Sequence, residues 1–226
     1  MDLPRRTRQG RDKLAAGERF TFIGGHLALD FANTLGGRRG GSTRELLVTY
    51  ADLIAWGLQA SIIAPDEAER LVHAAQRDPS GAVLVFEQAR RLREAIYALV
   101  VALMDGDAAP NADLAVLNGE LAQALIHRRI TTGSTGPVWT WDWRDDSVPG
   151  GRERHRRLAL DAVLWPVAVA AGDLLTVRDH PPLRQCASDE CSWLYLDTTR
   201  NHSRRWCDMK GCGNKAKVRR YRQRQT

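Results

Sequence analysis

Four cysteines stand in this 226-residue chain, and all fall near its end: Cys186, Cys191, Cys207 and Cys212. Their pattern is C-x4-C-x15-C-x4-C, two close pairs joined by a longer loop. Each pair can offer two thiolates from one turn, which suits tetrahedral zinc. Two structural disulfides, or incidental clustering, are the alternatives. The first dozen residues are basic, with Arg5, Arg6, Arg8 and Arg11, but no apolar core follows as a secretory signal requires. That predicts a reducing cytoplasm and disfavours disulfides. Four thiolates leave no open coordination position, so one structural Zn2+ is expected, not a catalytic one. A segment of about 40 residues rarely builds a sufficient core, and the metal can supply the missing folding energy.

The formal net charge is +6. From Arg184 to the end, eleven Lys or Arg face four Asp or Glu, a net of +7, while the remaining 183 residues sum to −1. Such asymmetry marks a polyanion-binding module joined to a neutral one. Zinc with four thiolates carries −2, so the module's effective charge is nearer +5. Some of its basic side chains must therefore answer the thiolates.

The elements that hold these groups can be read from periodicity and punctuation. Residues 1–18 read as a flexible basic arm, and Arg19 to Ile23 alternates like a strand. His26 to Leu35 is apolar, and a glycine-rich loop over 36–41 follows. Helices are predicted over Tyr50–Leu58, from Pro65 to about Gln76, over Val83–Met104 and over Asn111–Ile126. In the third of these, Leu84, Ala89, Leu92, Ile96, Leu99, Val100 and Leu103 should face inward, and Arg90, Arg91 and Glu94 outward. Pro137 to Trp143 alternates strictly and puts Trp139, Trp141 and Trp143 on one face, read as core. Arg152 to about Val177 should be the last long helix; its Leu158–Val177 part carries Asp161, Asp173 and a kinking Pro166, so it is a buried helix and not a membrane span. Pro181 and Pro182 make a stiff linker. The fold class is α+β: a mostly helical domain with a small β-sheet over 19–180, then a four-cysteine zinc finger over 184–226. In that finger a strand at 193–197, a turn at 198–203 and a returning strand at 204–206 lead to a helix beginning near Asn214. A knuckle, a hairpin and a helix around one zinc describe a treble-clef-like arrangement. On the last helix Asn214, Val218 and Tyr221 should pack inward. Lys215, Arg219 and Arg222 form one basic stripe, and Lys217, Arg220 and Arg224 another. Such stripes can touch two phosphate rows of a groove, although a merely solvated basic helix end has the same pattern.

The run Cys207-Asp208-Met209-Lys210-Gly211-Cys212-Gly213-Asn214-Lys215, preceded by Arg204-Arg205-Trp206 and followed by a basic helix, resembles the CGNR zinc finger. The family pattern has Arg where this chain has Lys215, and a lysine keeps the charge without the bidentate fork. Leu29-Asp30-Phe31-Ala32-Asn33-Thr34, with Asp52-Leu53-Ile54-Ala55-Trp56 further on, resembles the ABATE domain of stress-induced transcription regulators that accompanies this finger. Together the resemblances span nearly the whole chain and imply a bacterial transcription regulator.

The expected nucleic-acid contacts are Arg200, Arg204, Arg205, Lys210, Asn214, Lys215, Lys217, Arg219, Arg220, Arg222 and Arg224. Asp30, Asn33 and Thr34 sit in an apolar segment and must find partners. They are candidates to line a ligand pocket, or they cap and turn the backbone. The six histidines show no paired metal spacing, and no phosphate loop, nucleophile elbow or His-Glu pair at helical spacing is present. The expectation is a DNA-binding regulator and not an enzyme, with a small-molecule effector or protein partner at the N-terminal domain and no membrane. Two other readings stay open: an adaptor whose finger grips an acidic protein of the transcription machinery, and an RNA binder, weakened by having only Trp206 and Tyr221 as stacking aromatics.

Overall fold

The computed structural model describes residues 19–38, 43–143, 159–177 and 179–223. The basic arm at 1–18, part of the glycine-rich loop, residues 152–158 of the predicted last helix, and Arg224 lie outside the described residues.

The helical part is assembled from α1 (Leu27–Ala32), a two-residue ribbon of β1 (Leu35–Gly36) and β2 (Arg44–Glu45), then α2 (Tyr50–Gln59), α3 (Pro65–Arg77), α4 (Pro79–Asp105) and α5 (Asn111–Ile126). A hairpin of β3 (Arg128–Gly133) and β4 (Gly136–Trp141) follows, and after it α6 (Trp165–Thr176). The ends of the helices follow from local chemistry. Thr49 and Asp52 form a capping box on α2, Pro65 opens α3, and Asp78 accepts from the Gly81 amide at the start of α4. Gly106, with φ 75°, closes α4 in the left-handed conformation that favours glycine. α4 is the central element, packing against α1, α2, α3, α5 and α6. Ala89, Leu92, Ile96, Leu99 and Val100 on its buried face meet Leu29 of α1 and Val167, Ala168 and Ala171 of α6 in one core. Phe31 and Trp56 meet there at a ring distance of 4.9 Å.

Four local expectations are corrected. Residues 19–23 are not a strand: the Gln59 side chain takes the place of a neighbouring strand, accepting from the Phe20 amide at 3.0 Å and donating to its carbonyl at 2.7 Å. Leu84 and Leu103 are exposed, because the buried stripe of α4 runs through Ala82, Val85, Ala89, Leu92 and Ile96 and leaves them on its flank. The tryptophan stripe is core only at its base. Trp141 and Trp143 pack around the buried Trp165, while Trp139, nearer the hairpin tip, is half exposed beneath the Arg128 guanidinium at 4.4 Å. Pro166 does not kink a continuous helix. A 3-10 turn (Leu160–Leu164) precedes it, and Pro166 lies in the first turn of α6, where its missing N–H costs nothing.

Among the described residues strand pairing is limited to three separate antiparallel two-stranded pairs, the third being β5 (Leu183–Gln185) with β6 (Leu194–Leu196). That third pair is built from the cysteine-bearing segment, yet Leu194 and Leu196 belong to the core of the helical part. The Leu196 amide donates to the Gly24 carbonyl at 2.8 Å, and the Gln185 side chain donates to the Tyr97 hydroxyl at 2.5 Å. None of the described helices is long and apolar enough to cross a membrane.

Candidate metal centre and nucleic-acid interface

β5 delivers Cys186, whose amide donates to the Trp193 carbonyl at 2.9 Å, and the chain turns back so that the Cys191 amide donates to Ser188. β6 leads out of this knuckle to Asp197, which is fully buried. The Asp197 carboxylate accepts from the Thr199 amide at 3.0 Å, the Thr199 hydroxyl at 2.5 Å and the Arg204 amide at 2.9 Å. That arrangement, and not a strand at 204–206, returns the chain to the second cysteine pair, since one edge of β6 pairs with β5 and the other meets Gly24 and Asn33. Burial works to raise the Asp197 carboxyl, but the Thr199 and Arg204 hydrogen bonds outweigh it and hold it below the usual carboxylate range. The Arg204 guanidinium lies 4.2 Å from the centre of the Tyr195 ring, donates to the Trp206 carbonyl at 3.0 Å and also binds the Cys207 carbonyl. Asp208 then accepts from the Gly211 amide at 2.7 Å, opening the turn that carries Cys212 into α7 (Asn214–Gln223).

The four sulfurs all lie within 4.8 Å of one another. Cys191–Cys207 and Cys207–Cys212 are separated by 3.7 Å each. A disulfide needs about 2 Å, so these are free thiols. A zinc with four sulfurs at about 2.3 Å sets tetrahedral edges of about 3.8 Å, which the two 3.7 Å separations match. The electrostatics agree. Hydrogen bonds from Cys191 and Cys207 bring the Cys186 thiol down to about 2, and the bond to Cys186 pushes Cys191 up to about 12. Cys207 is raised by its bonds to Cys186 and Cys191, and Cys212 chiefly by burial and then by the Cys186 charge. Thiolates this close repel one another. A divalent metal replaces the remaining protons and resolves the repulsion, so its binding weakens as pH falls. Cys186, Cys191, Cys207 and Cys212 fit one zinc ion and would hold it between them.

The basic residues have different surroundings. Arg204 is turned inward, onto the finger's own carbonyls. Lys215 reaches Glu190 at 3.6 Å, and Arg219 binds Asp189 as well as Glu190 at 3.6 Å, so this stripe faces the acidic knuckle. Arg205 stands 5.3 Å from the centre of the Trp206 ring. Arg200, Lys217, Arg220 and Arg222 are exposed, and among the described residues none of them pairs with a carboxylate. Lys210 is exposed as well. Asn214, also exposed, donates to the Lys210 carbonyl at 3.1 Å. The inward packing expected for Asn214, Val218 and Tyr221 is not found: Val218 is 50% and Tyr221 64% exposed. Ala216, on the opposite face, is the half-buried residue of α7.

Asp30, Asn33 and Thr34 are all buried. Asp30 accepts from the Gly24 amide at 2.8 Å, and Thr34 donates to the Phe31 carbonyl at 2.7 Å. Asn33 makes a reciprocal pair with the main chain of Leu194, both bonds 2.8 Å. These are internal, structural bonds, and Asn33 ties the helical part to the finger's strand. Sequence reasoning missed Asp197 as the organiser of the finger, although Asp197-Thr198-Thr199 has the composition of an Asx turn. Asp197→Asn places an amide donor against the Thr199 and Arg204 donors. It should lower stability by about 2 kcal/mol, measured by denaturant unfolding of the zinc-loaded protein. An unchanged midpoint would show these bonds to be energetically idle.

The family model of the CGNR zinc finger matches residues 183–225. Residues 25–178 match the ABATE model, described as "Putative stress-induced transcription regulator". No curated protein matches the chain. With most of its length matched, the chain belongs to the ABATE family and carries a CGNR zinc finger.

Proposed function

We propose that the protein is a DNA-binding transcription regulator of the cytoplasm, and that α7 is the element presented to the duplex. The observation that carries this reading is the exposure of α7 on nearly every side. Its Lys217, Arg220 and Arg222 have no acidic partner among the described residues, and Val218 and Tyr221 stand between its basic stripes. Phosphate contacts supply the affinity in such an interface, and apolar side chains can meet thymine methyls. The order of a knuckle on the β5–β6 pair, a return ordered by Asp197 and a helix supports a treble-clef description. The N-terminal region is proposed to receive the signal, from a small-molecule effector or a protein partner. What supports this is that the finger's own strand is rooted in that region's core through Leu194, Leu196 and Asn33.

Duplex affinity should fall steeply with salt, because each neutralised phosphate releases counterions. Lys217→Glu with Arg220→Glu should weaken binding by about a hundredfold and flatten the salt slope by about 2. Arg204→Gln, by contrast, should act through folding. Weak, salt-insensitive duplex binding beside a protein partner lost on the same charge reversals would favour the adaptor reading, to which the exposed Val218 and Tyr221 also lend themselves.

A further inference from the structure

The finger carries a second basic feature, away from α7: a cleft of 320 Å³ whose lining includes Arg184, His202, Ser203, Arg204 and Arg205. Arg184 comes from β5 and lies within 3.4 Å of the His202 carbonyl. His202 is held in the left-handed region with φ 48°, its Nδ1 bonded to the Asp197 carbonyl at 2.9 Å. The Arg205 main chain is fixed by the Ala187 amide at 2.9 Å. Arg204, stacked on the buried Tyr195 and bonded to the Cys207 carbonyl, ties the cleft to the metal centre. Three arginines therefore line one concavity whose lining includes no carboxylate; the Arg204 guanidinium is spent on the finger's own carbonyls, and among the described residues neither Arg184 nor Arg205 pairs with a carboxylate. The Lys215–Arg219 stripe is the opposite case, since it meets Asp189 and Glu190. Like charges gathered this way repel unless an anion joins them, and guanidinium forks match the oxygens of a phosphate.

We infer that this cleft seats one phosphate of the nucleic-acid backbone and so fixes the angle at which α7 meets the duplex. This rests on the DNA-binding reading above and adds Arg184 and His202 to the residues concerned. A phosphate-seating contact positions the protein without reading sequence. Its loss should weaken binding to all duplexes alike.

The test compares the full-length, zinc-loaded protein with its Arg184→Gln, Arg205→Gln variant on several short duplexes across a salt series. Zinc content and thermal midpoint are followed to confirm an intact fold. The variant should lose about tenfold in affinity on every duplex, and its salt slope should shrink by about 1. If wild-type protein binds DNA and the variant binds equally well with an unchanged slope, the cleft assignment falls and the DNA-binding reading stands. Absence of duplex binding by wild-type protein at about 50 mM salt removes both. Pyrophosphate binding that the variant loses while its duplex binding is untouched assigns the cleft to a small phosphate ligand, and overturns the proposal.

Discussion

Removing zinc from this protein should lower the melting temperature of its helical region by roughly 10–20 °C, and not merely unfold the tail. The physical reason lies in β6. Leu194 and Leu196 sit between the second and third cysteines in sequence, yet they are buried in the core that α1, α4 and α6 share. Burying a leucine is worth about 1.5–3 kcal/mol. Losing two such contacts moves a chain of this size by several degrees per kcal/mol. The Asn33 side chain would also lose both bonds to Leu194, leaving a buried amide unpaired. Cys207→Ser should reproduce the effect at neutral pH. The check is a thermal melt followed by the far-ultraviolet helical signal, with and without a chelator, beside elemental analysis for one zinc per chain. A helical transition at the same temperature in both states would show that the finger folds and unfolds alone. By the same reasoning, a fragment ending at residue 180 should be poorly stable. Its near-neutral charge suggests a self-sufficient domain, but its core is completed from beyond that point.

Glu45→Ala should destabilise the fold by about 3 kcal/mol. Arg93 is 2% exposed, one of the largest fully buried side chains, and it donates to both Glu45 oxygens at 2.6 and 2.8 Å. Removing one member of a buried ion pair strands the other, at a cost of about 3–5 kcal/mol. The lower end applies because Glu94 still accepts from Arg93 Nε at 3.0 Å. Arg93→Met should cost less, since Glu45 remains partly solvated with 29% of its side chain exposed. The pair also sets a pH dependence. Burial acts to raise the Glu45 carboxyl, but the Arg93 hydrogen bonds, the Leu47 amide and the Arg93 charge outweigh it and lower its pKa. A carboxyl lowered on folding stabilises fully above its ordinary value and loses that contribution as pH falls through its folded value. Wild-type stability should therefore drop more than that of Glu45→Gln between neutral pH and the acid side of the carboxylate range. Denaturant midpoints at several pH values test this, and parallel curves would remove Glu45 from the account.

The sequence alone was enough for features whose cause is local. Cysteine spacing announced the zinc site, because two thiolates from one turn need no distant partner. The helices α2, α3 and α5 follow from caps, prolines and a 3.6-residue period, all contained within a few residues. The excess charge of the tail is a count that folding does not alter. Other features were decided only in three dimensions. Gln59 occupies the place of a strand beside Phe20 from 39 residues away. Asn33 meets Leu194 across 161 residues. Neither pairing leaves a periodic trace, because each is a single side chain answering a distant backbone. Arg93 could not be told from Arg90 and Arg91 by residue type; its burial depends on where β2 carries Glu45. The same holds for the last helix, where Val218 and Tyr221 suggest an inward face. That face needs an apolar surface opposite it, but Leu194 and Leu196 are committed to the neighbouring core, and Tyr195, Trp193 and Trp206 pack around the cysteines. The basic helix is left exposed to solvent because tertiary packing has used the surface that would have covered it.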